Sequence, residues 1–121
     1  MTDIQTRQDL ELLLARFYDT LLANPEIHRI FIDVAKIDMA EHLPTITDFW
    51  EQVLLHSGVY KKNVMQLHVE LNEKAKLSPE HFQTWLKTFE AAVDQNFSGE
   101  NAEKIKTRAL SIATIMQVKI R

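Results

Sequence analysis

A length of 121 residues is that of one domain able to bury about two thirds of the surface its unfolded chain exposes, so a single unit over 1–121 is expected. With 45% hydrophobic and 26% charged residues, no apolar run long enough to cross a bilayer, and no basic-then-apolar leader at Met1-Thr2-Asp3-Ile4-Gln5, the expectation is a cytoplasmic protein off the membrane. The absence of cysteine excludes a disulfide framework, a thiolate metal site and a cysteine nucleophile, and a net charge of -3 with scattered cations offers no stripe for nucleic acid.

Two glycines and three prolines leave few places for hairpin turns, which makes the expected class all-α. From Asp9 onward Leu10, Leu13, Leu14, Phe17 and Leu21 recur at spacings of three and four with charge opposite, the pattern of an amphipathic helix. It should stop at Asn24-Pro25, because proline disfavours helical geometry in the residue before it. A short turn or helix through Ile27 to Phe31 follows, and Ile32 to Ala40 reads as an irregular connection. Pro44 suits the first turn of a new helix, where a missing N–H costs nothing, and Ile46, Phe49, Trp50, Val53 and Leu54 give that helix one apolar side. His56 to Asn63 breaks the pattern, with a short helix from about Val64 to Leu71 after it. Ser78-Pro79-Glu80 then combines a capping hydroxyl, a proline at the first helical position and an acid at the positive end of the dipole. The helix it opens carries Phe82, Trp85, Leu86, Phe89 and Val93; Ser98-Gly99-Glu100 opens the last, whose inner face holds Ala102, Ile105, Ala109, Ile112, Ala113 and Met116.

Among the histidines, His28 and His81 sit beside charged neighbours and read as solvated, and His56 falls at a helix end. His68 differs, because Val64, Met65, Leu67, Val69 and Leu71 surround it with apolar residues. Its ring nitrogens need partners or cost about 1–3 kcal/mol for each group left unsatisfied. A hydrogen-bonded core histidine is the commoner outcome of such a setting; ligation of a metal through a neutral imidazole is the other. His42 stands near the start of the Pro44 helix, and Tyr18 lies on or beside the apolar stripe of the first. Glu41 and Glu70 do not supply the pattern of a zinc helix, which places histidines four apart. Taken singly these residues decide nothing.

Their order along the chain does more. Phe17-Tyr18, Ile30-Phe31, His42-Leu43-Pro44 followed by Phe49-Trp50, Leu67-His68 and Phe82-Gln83-Thr84-Trp85-Leu86 together resemble the group III truncated haemoglobins, from about Asp9 to Ile120. The isolated Gly58 and Gly99 suit that group, since groups I and II carry paired glycines at helix ends. The resemblance implies a globin-like, two-over-two helical sandwich around one b-type haem (iron protoporphyrin IX) held without covalent attachment. His68 matches the proximal ligand of the iron, and Tyr18, His42 and Trp85 match the distal positions. Phe31 matches the phenylalanine on the porphyrin face, Ile46, Phe49 and Trp50 the distal wall, and Leu67 and Phe82 fall among the haem contacts. Lys61 and Lys62 are the candidate partners for the haem propionates.

The function implied is reversible binding of O2, NO or CO at an iron site open opposite a histidine, with a reductase as the partner that keeps the iron ferrous. A phenol O–H and an indole N–H aimed at a ligand with negative charge would each contribute about 1.5–3 kcal/mol. Two other readings stay open. The same pocket could turn over NO or peroxide, as a dioxygenase or peroxidase would, or the chain could be a cofactor-free helical module that binds a protein partner.

Overall fold

The computed structural model describes residues 1–55 and 77–119, and every regular element among them is helical. Helix α1 (Arg7–Leu22) starts at Thr6, whose side chain accepts from Asp9 N while the Asp9 carboxylate accepts from Thr6 N, so two donors of the first turn are satisfied reciprocally. Its buried face is the one read from the spacing, with Tyr18 added to Leu10, Leu13, Leu14, Phe17 and Leu21. Helix α2 (Pro25–His28) is a single turn capped by the Asn24 side chain.

The chain then departs from expectation. Arg29–Val34 continues as a π-helical segment that buries Ile30 and Phe31, so the connection expected from Ile32 onward shrinks to residues 35–38. A π-helix bonds each residue to the fifth along, so a search at the 3.6-residue period does not register it. Lys36 lies in the left-handed region (φ 55°) where the chain turns. Helix α3 (Met39–Trp50) begins at Asp38, which accepts from Ala40 N, and Pro44 therefore sits in its second turn instead of its first. The missing N–H of Pro44 deprives the Ala40 carbonyl of its helical donor. A second π-helical segment, Glu51–Leu55, follows. Helix α4 (Pro79–Asn96) opens at Ser78 as expected, and α5 spans Glu100–Lys119. The break expected at His56 and the helix expected at Val64–Leu71 lie outside the described residues.

The packing pairs α1 with α3 and α4 with α5, and α1 lies against α4 across the middle. Apolar side chains from all of these helices form one cluster, in which Phe17, Phe89, Leu13 and Ile105 are fully buried. Arg7 ties the ends of two helices together, at 2.7 Å from Asp48 and 2.9 Å from Glu51. No described helix is long and apolar enough to cross a membrane.

The residues before α1 clamp the far end of the fold. The Asp3 carboxylate accepts from the backbone N–H groups of Ile4, Asn101 and Ala102, and so caps α5 from a distant part of the chain. Gly99 makes the approach possible: its φ is +146°, and a Cβ there would come within 2.5 Å of Asp3. Burial acts to raise the Asp3 pKa, but the three backbone donors together outweigh it and hold the carboxyl below its ordinary value. A lowered native pKa stabilises the fold above the unfolded value of about 3.9 and is lost as pH falls through the native one. Asp3→Ala should therefore cost about 1 kcal/mol in urea unfolding at neutral pH, and the difference from wild type should narrow below about pH 4.

Candidate functional site

Four aromatic rings set the geometry of the cleft. Phe89 is stacked against Trp50 (5.5 Å between centroids) and against Trp85 (5.6 Å), and Phe17 meets it edge-on at 5.1 Å. These rings come from α1, α3 and α4, so the cluster locks three helices to one another, and each such pair contributes about 0.5–1.5 kcal/mol beyond its burial.

Beside the cluster run two adjoining cavities that share Trp85 and Met116. One, partly open to solvent, is walled by Leu21, Ile27, Phe31, Phe82 and Ala113, with Leu77 just before α4 and His81 in its first turn. The other is walled by Phe17, Tyr18, Ile46, Phe49, Trp50 and Ile112, among others. Cofactor sites are commonly clefts that are mostly apolar with a few placed polar groups.

The polar groups are few. Tyr18 is 6% exposed, and its hydroxyl lies 2.9 Å from His42 Nε2, the two rings standing at 84°. Burial pushes the Tyr18 pKa up, so the phenol stays protonated and keeps a proton to donate. The bond has two forms. Either the hydroxyl donates to an unprotonated Nε2, or Nε2–H donates to the hydroxyl oxygen and leaves the phenol proton for another acceptor. Trp85 is half-buried, lines both cavities, and among the described residues its indole N–H makes no hydrogen bond. An indole N–H without a protein acceptor on a residue that lines an apolar cleft is free to bond an acceptor on whatever fills it.

The cleft thus gathers most of the residues expected of it. Phe31, Phe82 and Trp85 line the first cavity; Tyr18, Ile46, Phe49, Trp50 and Trp85 line the second; and His42 joins through its bond to Tyr18. Leu67, His68, Lys61 and Lys62 lie outside the described residues. Among the described ones no group of three His, Asp or Glu could hold a metal ion.

His81 is the residue that sequence reasoning set aside. It is not solvated: its side chain is 12% exposed, and it supplies the reciprocal half of the cap on α4, with Nδ1 accepting from Ser78 N at 2.9 Å. The reading failed because histidine was weighed by its charged neighbours, whereas the third helical position after a capping serine is where a side-chain acceptor turns back toward the chain. Met116, Ile112 and Leu21 were read only as inner faces, since periodicity marks burial and does not separate cleft from core.

The helices thus enclose an apolar cleft lined by a phenol and an indole, with an imidazole bonded to the phenol. No protein-family profile matches the chain. It is similar to the group 3 truncated hemoglobin ctb of Campylobacter jejuni, 27% identical over 114 residues that span 92% of this chain and 87% of that protein. The crystal structure of the group III truncated hemoglobin from Campylobacter jejuni superimposes with a TM-score of 0.87 at 24% identity, covering 100% of this chain and 96% of that one. The group III resemblance drawn from Asp9 to Ile120 therefore holds over nearly the whole chain, and the fold is that of a truncated globin.

Because the phenol of Tyr18 is sealed in, only one of the two tyrosines should be free to ionise in the native protein at most. An alkaline absorbance titration should show the Tyr18 transition only together with unfolding, and stability should fall as pH rises above about 10, where the unfolded phenol ionises and the native one does not.

Proposed function

We propose that the chain, as one truncated-globin domain, is a cytoplasmic haem protein that binds O2, and NO or CO, beside the Tyr18–His42 edge. The observation that carries this reading is a protonated, buried phenol held at 2.9 Å by an imidazole in the wall of an otherwise apolar cleft. The residues fit haem b: a flat apolar group suits Phe31, Phe82, Phe49 and Met116, and among the described residues the Trp85 N–H has no acceptor. His68 would be the axial ligand in this reading, with Leu67 beside it. When bound, haem would supply a ferrous iron able to take up a small ligand.

The chain's own side chains do the rest. Tyr18 and Trp85 present O–H and N–H donors toward a ligand that carries negative charge, and each such bond is worth about 1.5–3 kcal/mol in a dry site. Ile46, Phe49 and Trp50 keep water from competing for those donors. His42 decides whether the Tyr18 proton is committed to the imidazole or available to the cleft, so the imidazole tautomer tunes ligand retention.

The same phenol–imidazole pair favours a second reading, in which the pocket turns over NO or peroxide. A proton donor backed by a base can deliver a proton to a reacting oxygen and be reprotonated.

Purified full-length protein should show a strong Soret band that changes on reduction and on addition of CO, and His68→Ala should lose the axial histidine signature. Tyr18→Phe and Trp85→Leu should each speed ligand release by about 10- to 100-fold in stopped-flow measurements. A colourless protein that refuses haem contradicts the reading. Turnover of NO or peroxide beyond that of free haem, lost in Tyr18→Phe, selects the enzymatic form.

A further inference from the structure

His81 is a polar group that the reading above leaves without a task. Its ring is fixed from one side: Nδ1 accepts from Ser78 N at 2.9 Å, so in the neutral imidazole the proton must sit on Nε2. His81 lines the first cavity, whose remaining described wall is apolar except for the Trp85 indole. Among the described residues the partner of Nε2 is the Glu26 carboxylate at 3.4 Å, longer than the 2.7–2.9 Å of a strong charge-assisted bond. The Glu26 side chain is 62% exposed and comes from the single-turn helix α2, so it can swing into solvent at little cost, whereas the His81 side chain, 12% exposed, cannot. The result is an oriented N–H donor, poorly satisfied, on a residue that borders an apolar cavity, with a carboxylate as the kind of acceptor it already draws toward it.

We propose that His81 Nε2–H takes a carboxylate borne by the molecule that fills the cavity, which on the haem reading is a haem propionate, and that Glu26 holds the donor in its absence. His81 is then a positioning residue: through one hydrogen bond it fixes which edge of the macrocycle faces the α2–α4 side of the cleft. The assignment differs from the one expected from the sequence, which looked to Lys61 and Lys62, and it needs neither of them.

Two substitutions separate this role from the capping role. His81→Gln keeps an acceptor for Ser78 N and a donor toward the cavity. His81→Glu keeps the cap, since glutamate is the usual residue at that position, but replaces the donor with an anion. The full-length holoproteins are compared for transfer of haem to an excess of a scavenging apoglobin, and again after loading with iron protoporphyrin dimethyl ester, which lacks the carboxylates. Far-UV circular dichroism and thermal melting of the unloaded variants check that both fold.

The expected result is haem loss about 10-fold faster or more in His81→Glu, near-wild-type loss in His81→Gln, and no difference among the three proteins with the diester. Equal retention of haem by His81→Glu and wild type overturns the proposal. So does an equal weakening with haem and diester, which would mean a structural effect on the cleft. A wild-type chain that takes up neither porphyrin overturns the haem reading itself, and this assignment with it.

Discussion

The constraint on which the site depends is the aromatic cluster of Phe17, Trp50, Trp85 and Phe89. Two stacked contacts and one edge contact on Phe89 fix α1, α3 and α4 relative to one another. Rigid rings do not collapse into neighbouring space as flexible aliphatic chains would, so the volume beside them persists as a cleft. Removing Phe89 would take away the ring that three others touch, and a buried Phe→Ala change costs about 3–5 kcal/mol. Stability and site are therefore the same feature seen from two sides.

Onto this frame the chain adds polar groups sparingly. Tyr18 follows Phe17 in α1, so the residue that builds the cluster also places the phenol at its edge, and His42 reaches it from α3. The two π-helical segments, Arg29–Val34 and Glu51–Leu55, bracket α3. The first carries Phe31 to the cavity, and widened turns of this kind are frequent at functional sites. At the opposite end of the molecule Asp3 closes the start of α5, whose inner face supplies Ile112, Ala113 and Met116 to the cleft. The clamp thus holds one wall in place from a distance.

Much of this was legible in the residues, and the misses have physical causes. Helices α1, α4 and α5 were readable because each joins a regular apolar stripe to an end signal: Asn24-Pro25, Ser78-Pro79 and Ser98-Gly99. Helix α3 was placed late, because Pro44 was taken as a first-turn residue when the capping side chain is Asp38. The π-helical turn was read as a connection for want of a period to detect it. Tyr18, Trp85 and His42 came from resemblance alone, since spacing gave each an ordinary structural explanation. The Tyr18–His42 bond joins residues 24 positions apart, a distance over which no local pattern reports. His81 was lost because its partners are a backbone N–H in its own cap and a carboxylate on another helix.

The central claim is that the cleft beside the aromatic cluster is a seat for a flat, apolar, iron-bearing group. Differential scanning calorimetry of the full-length protein, with and without an excess of haem, tests it without reference to any ligand or activity. A group that binds only the native state stabilises it by mass action, by about 4 kcal/mol when free haem is a thousand times its dissociation constant. The account predicts a melting temperature that rises by many degrees and keeps rising with haem concentration. An unchanged melting temperature across that range would mean that the rings simply fill a core, and would contradict it.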